Sequence, residues 1–326
     1  MYFEENKSFA IFFSFNEETD RQSTVTVIQH TCTQNPTIHA STENINYSFS
    51  KDILIQSKAI SGCPNDTFLL IFVSSNPTNT RFRQASRNSW ARSCQVVTRN
   101  KRELGVKVLF LFGNATKQSI NKQLMNESKQ YNDVLQFDFI ESYRNLTLKT
   151  LNALQWAVEK CPQVRYVMKV DDDIVVNVKR VLHLLEGSTP QRSITGACNS
   201  GAIVSRLPNK YYVPYREYAP KKYPTYTAGH GYVISADVIR DLLDSTKRIP
   251  LVSMEDAYIT GILRTATNSI TLQCCVGFSK AKYSTLPEVF HENSSTVSVA
   301  KPDDMPKFWQ HYNSSTITDT KCTRRL

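Results

Sequence analysis

A short apolar run that ends in three carboxylates constrains this chain more than any other feature. Tyr166-Val167-Met168-Lys169-Val170 is compact and rich in β-branched residues, which predicts a buried strand, and Asp171, Asp172 and Asp173 follow it directly. Three carboxylates at the end of such a strand repel one another, so their charge has to be compensated. A hard divalent cation with oxygen ligands, one that also grips phosphate oxygens, fits that need. Ligands of α/β sheets also bind at the carboxyl ends of the strands. The plain alternative is a solvated acidic turn.

The segments around the triplet alternate between strand and helix. Strands are predicted at Thr67–Val73, at Lys107–Phe112 with Gly113 behind it, and at Val134–Phe139. Helices are predicted from Arg83 through Trp90, over Ser119–Tyr131, and on the face formed by Leu148, Leu151, Leu154 and Val158, stopped by Cys161-Pro162. Strands separated by helices of this length imply an α/β fold built on a parallel-type sheet with crossover helices. The second half is more irregular, with many aromatics and prolines from Pro208 to Tyr226. A short strand is expected at Tyr232–Ser235, with helices over Ala236–Leu243 and Asp256–Leu263. Flat rings in a loop-rich half suit stacking on sugar faces, although ordinary packing accounts for most of the tyrosines.

Composition restricts partners and compartment. The formal charge of +10 favours anionic partners. The basic residues are scattered, with no long Lys/Arg run and no zinc-finger spacing, so nucleic acid is not an expected partner. Eight cysteines, single except for Cys274-Cys275, form no C-x-x-C; they suit disulfides in an oxidising compartment, with connectivity left open. Glycosylation acceptors at Asn6, Asn46, Asn65, Asn114, Asn126, Asn145, Asn293 and Asn313 agree with the secretory pathway. Residues 1–62, rich in Ser, Thr, Asn and Gln from residue 16 onward, read as a poorly ordered stem. The apolar stretch Phe9–Phe15 would span only about 10 Å as a helix, too little for a bilayer core of roughly 30 Å, so a membrane anchor is not visible in this chain.

Other readings of the triplet are weaker. A calcium EF-hand loop is excluded, because Val175 and Val176 stand where a ligand and the obligatory glycine belong. Asp171-x-Asp173-x-Val175 also fits a haloacid-dehalogenase-type phosphatase, with one aspartate as nucleophile, but that motif usually lies near the chain start.

Further motifs line up with the triplet. Arg83-Gln84-Ala85-Ser86-Arg87-Asn88-Ser89-Trp90 puts two arginines one helical turn apart. Leu109–Gly113 is a strand ending at a glycine, and Tyr143-Arg144-Asn145-Leu146-Thr147-Leu148-Lys149-Thr150 precedes the triplet. Tyr223–Tyr232 mixes aromatics with glycines, and Glu255-Asp256-Ala257-Tyr258 opens a helix with two carboxylates. Together, over residues 63–322, these closely resemble the β1,3-glycosyltransferases of glycosyltransferase family 31, whose members transfer galactose or N-acetylglucosamine.

The resemblance implies a GT-A-type catalytic domain over residues 63–326, with a Rossmann-like nucleotide-binding half and a more irregular acceptor-binding half. It implies Mn²⁺, a UDP-sugar donor, a glycan acceptor on glycoprotein or glycolipid, and a Golgi membrane enzyme with a lumenal catalytic domain. Asp171 and Asp173 match the metal-binding D-x-D pair, Asp173 as the direct ligand and Asp171 facing ribose or metal water. Asp172, Arg83 and Arg87 are expected near the nucleotide, and Asp256 matches the base that deprotonates the acceptor hydroxyl. His291 resembles a late metal-ligating histidine, although the stretch from His291 to Pro302 is longer than the family pattern. Galactose is the expected sugar; N-acetylglucosamine, N-acetylgalactosamine, or a non-catalytic sugar-binding module are the alternatives.

Overall fold

The computed structural model describes residues 53–56, 62–92, 95–97, 103–187, 191–267, 269–275, 277–283, 294–314 and 322–325. Thirteen strands are found among them: β1 (Ile53–Gln56), β2 (Thr67–Ser74), β3 (Gln95–Val97), β4 (Glu103–Asn114), β5 (Val134–Ile140), β6 (Tyr166–Asp171), β7 (Ile174–Val176), β8 (Ser193–Asn199), β9 (Tyr226–Ser235), β10 (Thr271–Cys275), β11 (Phe278–Tyr283), β12 (Thr296–Val299) and β13 (Cys322–Arg325). Ten of them make one sheet in the order β1-β5-β4-β2-β6-β9-β8-β10-β13, with β3 hung on β4. A small sheet, β11-β12-β7, stands beside it.

The run β5-β4-β2-β6 is parallel throughout, as the strand and helix alternation requires. The crossovers carry α1 (Thr80–Arg87), α2 (Gln118–Tyr131) and α3 (Leu146–Lys160). Period-2 patterning sorts the side chains of this run onto two buried faces. Leu70, Phe72, Leu109, Leu111 and Val167 face α3, while Leu69, Ile71, Val73, Phe110, Met168 and Val170 enter a second core on the other side. That second core includes α4 (Val178–Gly187) and α8 (Met305–Ser314). The architecture is the α/β fold with a parallel-type central sheet and crossover helices expected from the sequence.

Three features depart from the sequence expectation. β9 is ten residues long and antiparallel to both β6 and β8, because an irregular loop returns the chain from β8 without a helical crossover. The helix expected through Trp90 ends at Arg87, and Trp90 lies in a separate 3₁₀ turn. The helix expected over Asp256–Leu263 is a short α6 (Glu255–Ala257) that widens into a π turn (Tyr258–Leu263) before α7 (Arg264–Ala266). One more helix, α5 (Ile239–Ser245), follows β9.

Inside the stretch read as stem, Ile53–Gln56 pairs with β5 as an edge strand; most of the remaining stem lies outside the described residues. Two disulfides join described cysteines: Cys63–Cys161 ties the segment before β2 to the end of α3, and Cys198–Cys274 ties β8 to β10. Cys275 is disulfide-bonded as well. Among the described residues no helix is long and apolar enough to cross a membrane.

Candidate active site

The carboxyl end of β6, the middle of β9 and the start of α6 converge on one cavity of about 490 Å³. Strand alternation puts Lys169 and Asp171 on the same face of β6. The Lys169 ammonium donates to Asp171 Oδ1 and to the Gly229 carbonyl, each at 2.6 Å, and lies 3.6 Å from Glu255 Oε2. One buried cation therefore ties β6, β9 and α6 together at the cavity floor. Burial works against that charge, but Asp171 and Glu255 outweigh it and hold the lysine pKa above its ordinary value. The Tyr232 hydroxyl donates to Glu255 Oε1. Burial raises the Glu255 pKa, with Lys169 opposing and Asp256 adding to the rise.

Asp256 is placed by backbone. Its Oδ2 accepts from the Gly229 N–H at 2.8 Å and its Oδ1 from the Ala257 N–H at 2.8 Å. Gly229 permits this approach: a Cβ there would lie 3.1 Å from Asp256 Oδ2, tight against a carboxylate held by backbone bonds. Burial raises the Asp256 pKa even though both N–H groups oppose the rise. Asp256 is thus a carboxylate with raised proton affinity that lines a cavity, the property a general base needs. Asp171 and Asp256 share that cavity.

The other predicted residues lie around this floor rather than in it. Asp172 is buried and faces the β2–α1 loop, accepting from Ser75 Oγ at 2.6 Å, Asn79 Nδ2 at 3.0 Å and the Asn76 N–H at 3.4 Å. Burial raises its pKa. Arg83 is fully buried; it donates to both oxygens of Glu127 at 2.7 Å, to Ser75 Oγ, and to the Asn76 and Pro77 carbonyls. Arg87 pairs with Glu127 and Asp133 and sits over the Phe110 and Tyr131 rings. Both guanidinium groups are thus engaged by partners within the protein, as a structural salt-bridge role would have them. The protein's own acceptors occupy the Arg83 fork, and Ser75 and Asn76 bridge it to Asp172 of the triplet. Asp173 lies beside β12: its carbonyl accepts from the Val299 N–H at 2.8 Å and its Oδ2 from Ser298 Oγ at 3.3 Å. His291 lies outside the described residues.

Two contributors went unread in the sequence. A lone lysine inside an apolar strand, two residues before a carboxylate, marked Lys169, but its partners on β9 and α6 are distant in sequence. Lys149 is buried, pairs with Glu141 at 2.7 Å and donates to the Ser75 carbonyl at 3.0 Å, while Glu141 accepts from the Gly113 N–H. Lys149 from the Tyr143–Thr150 stretch and Glu141, held by the Gly113 N–H of β4, together brace the β2 end behind the triplet.

With this geometry in hand, comparison with known proteins adds four similarities. The sequence profile described as Galactosyltransferase matches residues 81–273. Human N-acetyllactosaminide beta-1,3-N-acetylglucosaminyltransferase 4 is 36% identical over 209 residues, 63% of this chain and 53% of that protein. Its mouse counterpart is 35% identical over 63% of this chain and 58% of its own length. Human beta-1,3-galactosyltransferase 1 is 31% identical over 77% of this chain and 75% of its own length. The chain thus spans little more than half the length of the first two relatives.

Proposed function

Because the chain belongs to the galactosyltransferase family, we propose that it transfers a hexose, galactose by preference, from a UDP-sugar to a hydroxyl of a glycan on a glycoprotein or glycolipid, making a β1,3 linkage. The observation that carries this is the pairing of Asp171, at a strand's carboxyl end, with Asp256 in one cavity. N-acetylglucosamine transfer is the second reading, favoured by similarity to the N-acetyllactosaminide beta-1,3-N-acetylglucosaminyltransferases.

In the proposed reaction the acceptor oxygen attacks the anomeric carbon from the face opposite the α-linked UDP. The C–O bond to UDP breaks with inversion, and the hydroxyl proton passes to Asp256. Lys169 keeps Asp171, the Gly229 carbonyl and Glu255 in register, so that the Gly229 N–H holds the base in place. The donor set of Asp171 and Asp173, two carboxylates at alternate positions, fits a hard divalent ion such as Mn²⁺. Bound there, such an ion would offset the charge developing on the departing diphosphate. His291 remains the proposed further ligand. The paired cysteines support a lumenal catalytic domain at the Golgi membrane.

Incubating pure protein with Mn²⁺, a simple glycan acceptor and a panel of UDP-sugars, then measuring UDP release, tests the proposal. Release is expected from UDP-galactose, is lost in excess EDTA, and is abolished by Asp173→Asn. Full activity in EDTA would remove the metal from the reading. Phosphate release from a generic ester, with no response to UDP-sugars, would replace the reading with the phosphatase one.

A further inference from the structure

The long loop between β8 and β9 carries most of the large exposed hydrophobic side chains among the described residues: Ile203, Leu207, Tyr211, Tyr212 and Tyr215. Exposed rings on an irregular loop usually mean little, but this loop is built. Arg206 lies across it, donating to the carbonyls of Val213, Tyr218 and Pro220 at 2.6, 2.7 and 2.9 Å, with the Tyr215 ring 4.0 Å from its guanidinium carbon. Arg144 and Glu217 tether it to the site. Arg144 donates to the Tyr212 carbonyl at 2.9 Å and pairs with Glu217 at 2.8 Å, and the other Glu217 oxygen accepts from the Ser253 N–H at 2.6 Å. Ser253 stands just ahead of Glu255 and Asp256, so the loop and the base share one brace.

This brace aims two tyrosines at the cavity mouth. Tyr143 and Tyr211 both line it, edge to face with centroids 6.3 Å apart, and are 42% and 47% exposed. Lys210 lines it as well, with its ammonium 4.7 Å from the Tyr211 centroid and 5.8 Å from that of Tyr143. Half-exposed rings set edge to face beside a lysine, on a preorganised wall of the cavity that a carboxylate base also lines, suit a flat partner with an apolar face and polar edges. A pyranose ring has that shape: its axial C–H bonds lie against an aromatic face while its hydroxyls remain available to donors such as the Lys210 ammonium.

We propose that Tyr211, Tyr143 and Lys210 form the acceptor subsite, on which the terminal pyranose of the acceptor glycan stacks with its reacting hydroxyl turned toward Asp256. This rests on the reading of the cavity as the transferase centre. The Tyr143 phenol responds to that floor, since burial and then Tyr211, Asp256 and Asp171 all push its pKa upward. The acceptor therefore enters beside Tyr226 of β9 and the Tyr143 turn, which line the same cavity as Asp171.

Sugar binding and transfer are measured separately on wild type, Tyr211→Ala and Tyr211→Phe. Saturation-transfer NMR with methyl β-galactopyranoside and methyl N-acetyl-β-glucosaminide, in the presence of UDP and Mn²⁺, reads binding without turnover. Steady-state kinetics with a donor and the same glycosides reads acceptor and donor KM. Tyr211→Ala is expected to lose the transfer to the sugar C–H protons and to raise acceptor KM about tenfold, while Tyr211→Phe keeps both and UDP affinity is unchanged in either. Leu207→Ser, exposed on the same loop outside the cavity, should resemble wild type. Wild-type and Tyr211→Ala proteins that bind the glycosides equally, or a wild type that binds neither, would overturn the subsite. So would an equal loss of UDP affinity, which would make this wall part of the donor site. Tyr211-dependent glycoside binding without any UDP release would leave the subsite standing and bring down the transferase reading instead.

Discussion

Asp256 and Lys169 show how much of a site a single residue can decide. Asp256 accepts two backbone N–H bonds, which favour its charged form, yet burial raises its pKa. A base must be deprotonated, so kcat/KM should fall as pH drops through that raised value, above the ordinary aspartate range of about 3.9. Asp256→Asn preserves the shape but cannot take the proton. Its kcat should be lower by about 10²–10⁴-fold, with the acid limb of the pH profile gone and UDP affinity retained. The asparagine amide faces one of the two N–H groups without accepting from it, costing about 1–3 kcal/mol, so Tm is read beside the kinetics. A variant with wild-type kcat would remove Asp256 as the base. Sequence pointed to Asp171 and Asp173 because three carboxylates at a strand's end need their charge compensated, and to Asp256 through the family resemblance. It could not give Lys169 its role, because one ammonium acquires its meaning only when β9 and α6 arrive around it.

At the scale of elements, the spacing of Arg83 and Arg87 was legible and their partner was not. One turn apart on α1, they converge on Glu127, which α2 delivers from the far side of β4. Burial would raise the Glu127 pKa, but the two guanidinium groups outweigh it and hold it below its ordinary value. A depressed carboxylate pKa gives stability that is fully present above the unfolded value of about 4.3 and is lost as pH falls through the folded one. Glu127→Gln leaves two buried cations with only Asp133 between them, a loss of about 3 kcal/mol at neutral pH. Thermal melts between pH 7 and pH 3 should show a lower Tm for the variant at neutral pH and a gap that narrows below about pH 4.3. A constant gap would mean that the pair contributes packing and no charge. The same limit explains β9. Tyr226 to Gly231 reads as loop because two glycines and a histidine weaken a strand, yet the glycines are where Asp256 and the β6 backbone come close. The π turn after α6 was equally hidden, since an apolar run has the same pattern whether its helix is α or widened.

For the molecule as a whole, the sequence supplied the parallel half, where hydrophobic period and helix stops recur, and left the second half open. There the chain is fixed by crosslinks and loops whose partners are remote. Cys198–Cys274 staples β8 to β10 across a separation of 76 residues, and in the parallel half Cys63–Cys161 closes a separation of 98 around β2, β4, β5 and α3. Eight scattered cysteines implied bridges without saying which. Loop-closure entropy makes such wide bridges effective, each stabilising by about 2–5 kcal/mol through the unfolded chain. Replacing Cys63 and Cys161 together by alanine keeps the buried volume small and apolar while opening the larger loop. Protein made through the secretory route should then melt roughly 5–15 °C below wild type. Mapping of non-reduced peptides from the wild type should recover Cys63 joined to Cys161 and Cys198 to Cys274, and reducing agent should bring its Tm down to or below that of the double variant. Four alkylatable thiols at these positions in secreted protein, or an unaltered Tm in the double variant, would contradict an oxidising compartment. The Golgi reading would lose its structural support with it, because a catalytic half held by bridges that never form would have to fold on its loops alone.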